Sequence, residues 1–283
     1  HWNFGVWNRD AVSDTNIASS STLVGNANTT QASHVDTRLA GFQYGLDAGL
    51  FNIENSGMNT HVGITVGDVF ASSTDHANPG VSSRAEVPFV GAYGALTGKG
   101  FAGIIGVRYD NYQLKLTNAF EGVTNAPLNG HGLTFSTDVQ YVIPLGTAAF
   151  IEPSAGAYVS RATIDNQTFD FGTNSFGHID SVLSRIGLRA GMPAQAGPLV
   201  LQPFAAINVY HEWSGDARTV FTPNGANISL PIDTTRVGTF EQASIGVGWQ
   251  LPDTGWTGYA RTDAKFGRQV EGWTLTGGLR YTW

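Results

Sequence analysis

The chain has 283 residues, 36 of them glycine and none cysteine, with a formal net charge of -7. Charged residues are 13% and aromatics 11% of it, where soluble domains average about 25% charged. Missing cysteine excludes disulfide scaffolds, zinc ribbons and iron–sulfur sites, the acidic balance argues against nucleic acid, and no 18-residue apolar run offers a transmembrane helix.

The sequence begins at His1 with neither Met nor a basic, apolar leader, which suggests a processed or excised fragment. From there the recurring period is two, the spacing of strands. A first strand is expected near 2–10. After a polar stretch, 38–51 places Phe42, Tyr44, Leu46, Ala48 and Leu50 opposite Gln43 and Asp47. Strands near 60–71 and 86–97 follow. In 100–115, Phe101, Ile105, Val107 and Tyr109 oppose Arg108 and Asp110; in 131–144, Leu133, Phe135, Val139 and Tyr141 oppose Thr134, Ser136, Asp138 and Gln140. Next come 148–161 and 181–192, the latter with Ile186, Leu188 and Met192 against Arg185 and Arg189. The series ends with 199–213, 240–251, 255–267 and 272–283. The last sets Trp273, Leu275, Gly277, Leu279, Tyr281 and Trp283 against Thr274, Thr276, Gly278, Arg280 and Thr282. One face suits lipid and the other suits water.

Connection lengths alternate too. Short turns are expected at Thr97–Gly100, Pro144–Thr147, Pro193–Gly197 and Pro252–Gly255, with a longer one at Asn52–Asn59. Between them lie the polar stretches 11–37, 72–85, 116–130, 162–180 and 214–239, read as long loops, and one short link at Arg268–Glu271. Outer-membrane barrels have short periplasmic turns and long outer loops. The expectation is therefore an all-β, twelve-stranded antiparallel transmembrane β-barrel, one domain over 1–283, with both termini in the periplasm. A soluble sandwich fits less well, because Arg185 and Arg189 share a face with Gly187 and Gly191 while the other face stays apolar. Pro153 and Pro203 fall inside predicted strands and call for a bulge or a strand end.

The segments GFQYGLDAGLF (41–51), VGAYGAL (90–96), GFAGIIGVRYD (100–110), IEPSAGAYVS (151–160), SRIGLRAGM (184–192), LQPFAAINVYHEW (201–213) and GWTLTGGLRYTW (272–283) together resemble the C-terminal translocator barrel of the autotransporters. The resemblance implies an integral barrel of the Gram-negative outer membrane that anchors an N-terminal passenger and helps carry it to the cell surface through its lumen (type V secretion). It implies as partners the chain's own passenger and linker helix, the barrel assembly machinery, periplasmic chaperones and outer-membrane lipid. It also implies a C-terminal assembly signal, matched here by Thr276, Gly278, Tyr281 and Trp283. The family's linker helix before the first strand has no counterpart in this sequence, so a wider, more conductive pore is expected.

Arg9, Asp47, Arg108, Asp110, Asp138, Glu152, Arg185, Arg189, Arg261, Asp263, Lys265 and Arg280 are expected to line the lumen as interior ion pairs and as a bed for the passing chain. No catalytic set, metal site or cofactor is expected. The alternatives are a barrel protease of the omptin type, with candidate pairs His34–Asp36, Asp75–His76, His178–Asp180 and His211–Glu212, or a narrow diffusion channel.

Overall fold

The structure is a computed structural model and describes residues 2–24, 28–146, 149–169, 172–215, 217–225, 229–234 and 237–283. His1 and the end of the turn at 144–147 lie outside the described residues. The period-two segments form β1 (Trp2–Leu23), β2 (Thr29–Leu50), β3 (Asn59–Asp75), β4 (in two pieces, Val81–Glu86 and Phe89–Gly98), β5 (Phe101–Asn118) and β6 (Val123–Tyr141). They continue as β7 (Ala149–Ile164), β8 (Ile179–Gly191), β9 (Leu199–Ser214), β10 (Thr239–Leu251), β11 (Trp256–Gly267) and β12 (Val270–Thr282). Each pairs antiparallel with the next. The ring of twelve closes where β1 meets β12, in unbroken register from Gly5↔Thr282 to Ile17↔Val270. Closure leaves the wall without a free edge.

The burial pattern is that of a soluble protein inverted. Among the described residues only five hydrophobic side chains are buried, against ten polar or charged ones that include Asp47, Asp110, Glu152 and Asp263. Meanwhile Val62, Ile64 and Val66 of β3, Ile105 and Val107 of β5, Ile186 and Leu188 of β8, and Leu275 and Leu279 of β12 are exposed. Water would penalise such a wall at about 25 cal/mol for every Å² of apolar surface; a lipid bilayer does not.

Four of the five long polar stretches differ sharply from loops. β1 and β2 stay paired from Trp2↔Leu50 as far as Leu23↔Thr29. β3 and β4 pair from Phe70↔Glu86 to Thr74↔Ser82, and β5 and β6 reach Leu116↔Ala126. In 214–239, the strands Ala217–Pro223 and Leu230–Thr234 form a hairpin that joins β1 at Ser21↔Thr234 to Leu23↔Ile232. The stretch 162–180 contributes shorter strands, Gln167–Phe169 and Gly172–Phe176, the second paired with Ala217–Pro223. Alternating hydropathy marks a strand only where one face meets lipid. Beyond the apolar band both faces meet water, so polar side chains occupy both while the backbone ladder continues.

The prolines sit at gaps in the ladder. β6 pairs with β7 up to Gln140↔Ser154, and pairing resumes at Ile143↔Ile151, so Pro153 faces the interruption. Pro203 lies in the matching interval between Gly191↔Phe204 and Ala194↔Leu201, where its carbonyl accepts from the Met192 N–H at 3.2 Å. A residue without an N–H takes the position where no donor is required. The tight turn between β4 and β5 uses Lys99 and Gly100, both at positive φ (53° and 82°), the combination a two-residue hairpin requires.

Candidate functional site

Side chains from strands that are not neighbours can touch only on the concave side of a closed sheet, and such contacts locate the interior. The Trp7 indole N–H of β1 donates to the Tyr93 hydroxyl of β4 at 2.7 Å. Arg280 of β12 reaches Asp47 of β2 across β1, and Arg185 of β8 reaches Asp138 of β6 across β7. On each strand, all twelve charged residues named from the sequence lie on this same face, opposite the exposed apolar series.

Every acid among the twelve has an arginine. Arg280 binds Asp47 through two bonds of 2.6 and 2.8 Å. Arg185 meets Asp138 at 2.8 Å and Arg189 meets Glu152 at 2.6 Å. Arg108 meets Asp110 at 2.9 Å and Arg261 meets Asp263 at 3.0 Å, each two residues along one strand. Arg9 and Lys265 remain: among the described residues, no carboxylate lies within ion-pair distance of either. Among the twelve, two positive charges are thus in surplus, in a chain whose net charge is -7; toward the outer end Asp75 and Glu212 also face inward.

Aromatic and amide partners complete the clusters. The Tyr93 hydroxyl donates to Asp47 at 2.6 Å, and the Tyr158 hydroxyl donates to Asp138 at 2.8 Å. Arg185 also donates to Ser154 at 2.9 Å and to the Asn208 carbonyl oxygen at 2.7 Å. Arg189 lies over the Phe150 and Phe204 rings at 5.4 and 5.2 Å, and Arg108 over Phe89 at 4.6 Å, which adds cation–π attraction. Trp7, Tyr93, Tyr158 and Asn208 join the charges inside without belonging to the residues expected there from the sequence. Their signal was parity alone, because Tyr158 is an even number of residues from Glu152.

Glycine makes room for these groups. A Cβ on Gly5 would stand 2.5 Å from Arg280 Nη2 and 3.1 Å from Asp47 Oδ1. Gly5→Val should therefore displace the ion pair and destabilise the barrel by about 1–3 kcal/mol. The measurement is the urea midpoint of the fast-migrating folded form on unheated gels; an unchanged midpoint would show that the interior has slack at this point.

The four terminal residues divide between the two faces. Thr276 is buried and, with Gly278, faces inward, where Gly278 leaves space for the Tyr259 ring. Tyr281 and Trp283 face outward. Tyr281 lies 4.9 Å from Trp256 and stacks on Trp283 at 5.8 Å. Trp283 and Phe4 exchange backbone hydrogen bonds of 3.0 and 3.1 Å, so the final residue of the sequence fastens the seam.

The candidate histidine–acid pairs of the protease alternative do not form. His76 Nε2 lies 2.8 Å from Asp36, on the strand opposite, and both are largely exposed. Asp75 instead accepts from the His34 and Ala77 amides, the Ser33 hydroxyl and the Asn78 amide. Burial raises the Asp75 carboxyl, and these bonds together outweigh it and hold the group below the ordinary carboxylate range. His178 contacts Thr163 while Asp180 binds Arg161; His211 contacts Thr239 while Glu212 accepts from Ser181 and the Val237 amide. His211 and Glu212, adjacent along β9, point to opposite faces; the other acids are taken by partners on the facing strand or in the following turn. Among the described residues, no three His, Asp or Glu side chains converge as metal ligands would.

An apolar outer wall, an ion-paired interior and twelve-stranded closure define a transmembrane β-barrel of the outer-membrane kind. A family model, the autotransporter beta-domain, matches residues 20–263, and the chain belongs to that family, whose barrels serve passenger translocation at the outer membrane. Among solved structures, the beta domain of the Bordetella autotransporter BrkA is similar, with TM-score 0.73 and 22% identity over 98% of each chain. The transport unit of AIDA-I from Escherichia coli gives TM-score 0.74 at 13% identity, over 97% of this chain and 88% of that one. The translocator domain of NalP from Neisseria meningitidis gives 0.62 at 14%, over 96% and 88%. Comparison with curated proteins finds no match.

Proposed function

We propose that the whole of 1–283 acts as one translocator unit, holding a linker helix in its lumen and passing an N-terminal passenger outward, with both termini in the periplasm and no catalytic step of its own. The observation that carries this reading is the lumen itself: acids paired with arginines, glycine notches, and two cations, Arg9 and Lys265, with no carboxylate in ion-pair distance among the described residues. A cavity of about 910 Å³ bordered by Arg9, Gln43, Asp138, Tyr158 and Arg280 has the volume of about two turns of α-helix with its side chains. Delivery by periplasmic chaperones and insertion by the barrel assembly machinery, guided by the outward Tyr281 and Trp283, belong to the same reading. The omptin alternative is weakened because three of its four candidate acids are already bound to other partners.

The direct test joins a linker and a reporter passenger upstream of Trp2 and measures protease-accessible passenger on intact cells. Surface exposure that needs the barrel is expected; a passenger retained in the periplasm beside a correctly inserted barrel would overturn the proposal. In planar bilayers the barrel alone should conduct better than the form with its linker, and equal conductance would show that the helix does not occupy the pore. The barrel should also prefer anions, since fixed charge lining a pore sets its selectivity. Arg9→Gln combined with Lys265→Gln should move the reversal potential in a salt gradient toward cation selectivity, whereas an unmoved potential would mean that these two residues do not face the conducting path.

A further inference from the structure

The outward face of β4 and β5 carries two cations side by side. Phe70, the last outward apolar residue of β3, pairs with Glu86, and the next outward position up the wall is the pair Ser72↔Arg84. Arg84 in turn stands directly opposite Lys115. On β5, register with β6 is unbroken from Phe101 to Leu116, so Lys115 shares the outward parity of exposed Ile105, Val107 and Tyr109. Both cations are exposed. Two residues along a strand tilted by about 40° rise by about 5 Å. Arg84 therefore stands just above the apolar band, in the headgroup layer, which is about 5–7 Å deep.

Like charges directly opposite on an antiparallel pair repel each other and weaken it. Elsewhere on the outer hairpins a cation faces an acid. Arg161 opposes Asp180 and Arg218 opposes Asp233, each pair joined by two hydrogen bonds of 2.6 to 3.0 Å. Arg38, on the other side of Ser72 in the same row, opposes Asp14 at 3.4 Å. Arg84 and Lys115 differ: among the described residues, no carboxylate lies within ion-pair distance of either. The adjacent acid, Glu86, stands one outward position nearer the hydrocarbon, opposite Gln113.

We propose that Arg84 and Lys115 form a binding site for a phosphate of the outer-leaflet glycolipid, lipid A. An anion between the two cations replaces their repulsion with two charge-assisted hydrogen bonds. Basic clusters at a membrane surface take anionic headgroups for this reason. Arg38, two strands away at about 10 Å, is placed for a second phosphate of the same headgroup. Below the row, Val66 of β3 and Val90 of β4 pair with each other and are exposed, which offers the acyl chains an apolar track. The proposal rests on the membrane placement of the barrel, with its long hairpins outward, and goes beyond the export reading.

The full chain is folded in detergent micelles, checked by heat-modifiable migration and titrated with bisphosphorylated lipid A, and bound lipid is counted by native mass spectrometry. Arg84→Gln combined with Lys115→Gln should weaken binding about thirtyfold. Arg161→Gln, whose side chain serves Asp180, should leave it unchanged. Glu86→Gln removes a like charge and should tighten it. Lipid A stripped of its phosphates should bind the unaltered chain and the double variant equally. Equal affinity of the two chains for the phosphorylated lipid would overturn the proposal. So would the same loss from Arg161→Gln, weaker binding by Glu86→Gln, or a difference between the chains that persists with the stripped lipid. Inorganic phosphate in excess should leave the lipid bound; complete displacement would assign the site to free phosphate and overturn the lipid as occupant. Failure of the unaltered chain to give a heat-modifiable band would instead overturn the membrane reading.

Discussion

Arg280→Leu should lower the stability of the folded barrel by about 3 kcal/mol, at the lower end of what breaking a buried ion pair costs. The asymmetry of the pair decides which partner matters more. The Asp47 side chain is 1% exposed and that of Arg280 is 31%. Without the arginine, a buried carboxylate keeps the Tyr93 hydroxyl but loses two charge-assisted bonds. Without the aspartate, the guanidinium still reaches lumen water, so Asp47→Leu should cost less, about 1–2 kcal/mol. The double leucine variant should recover most of the loss, because replacing both charges removes the uncompensated one. Urea titration in detergent micelles, followed by gel migration without heating, measures all three. If the double variant is as unstable as Arg280→Leu, the pair acts through its shape rather than its charge.

Tyr281→Asp should nearly abolish insertion into the outer membrane of cells while leaving folding in detergent largely intact. The two effects separate because of where the residue sits. Tyr281 belongs to the rim cluster with Trp256 and Trp283, and a charge near the membrane interface costs only about 0–1 kcal/mol. Loss of stability alone therefore cannot account for failed insertion; loss of a recognition signal can. Trp283→Ala should act in the same direction but more weakly, since its backbone bonds to Phe4 persist. Outer-membrane fractions and in vitro refolding yields are compared for each variant. Parallel loss in both assays would show that these aromatics hold the barrel together rather than address it.

The wall was legible in the sequence because lipid imposes a simple rule on one face. Leu133, Phe135, Val139 and Tyr141 share one parity, broken only by Thr137, and the structure exposes all four. The outer hairpins were not legible. Ser19, Ser20 and Ser21 show no alternation, yet they pair with Ser33, Ala32 and Gln31. The interior lay between these cases. Parity gathered its charges onto one face, but pairing could not be read from it. Arg280 and Asp47 are 233 positions apart and meet only because the ring closes. Asp138 and Glu152, on neighbouring strands β6 and β7, are each drawn to a different arginine. The tyrosines were missed for a related reason: a ring with a hydroxyl suits an interfacial belt and a carboxylate-lined lumen equally well.

The bond between Phe4 and Trp283 also imposes an order in time. Synthesis from the amino end makes β1 the first of the twelve strands, and β12, its other neighbour in the ring, the twelfth. Until then a 22-residue strand has β2 on one side and nothing on the other, an open template for pairing with foreign strands. The interval lasts until the ten strands between β1 and β12 have followed. The geometry thus sets a well-defined task for the folding barrel: to keep one edge of β1 unoccupied until β12 arrives.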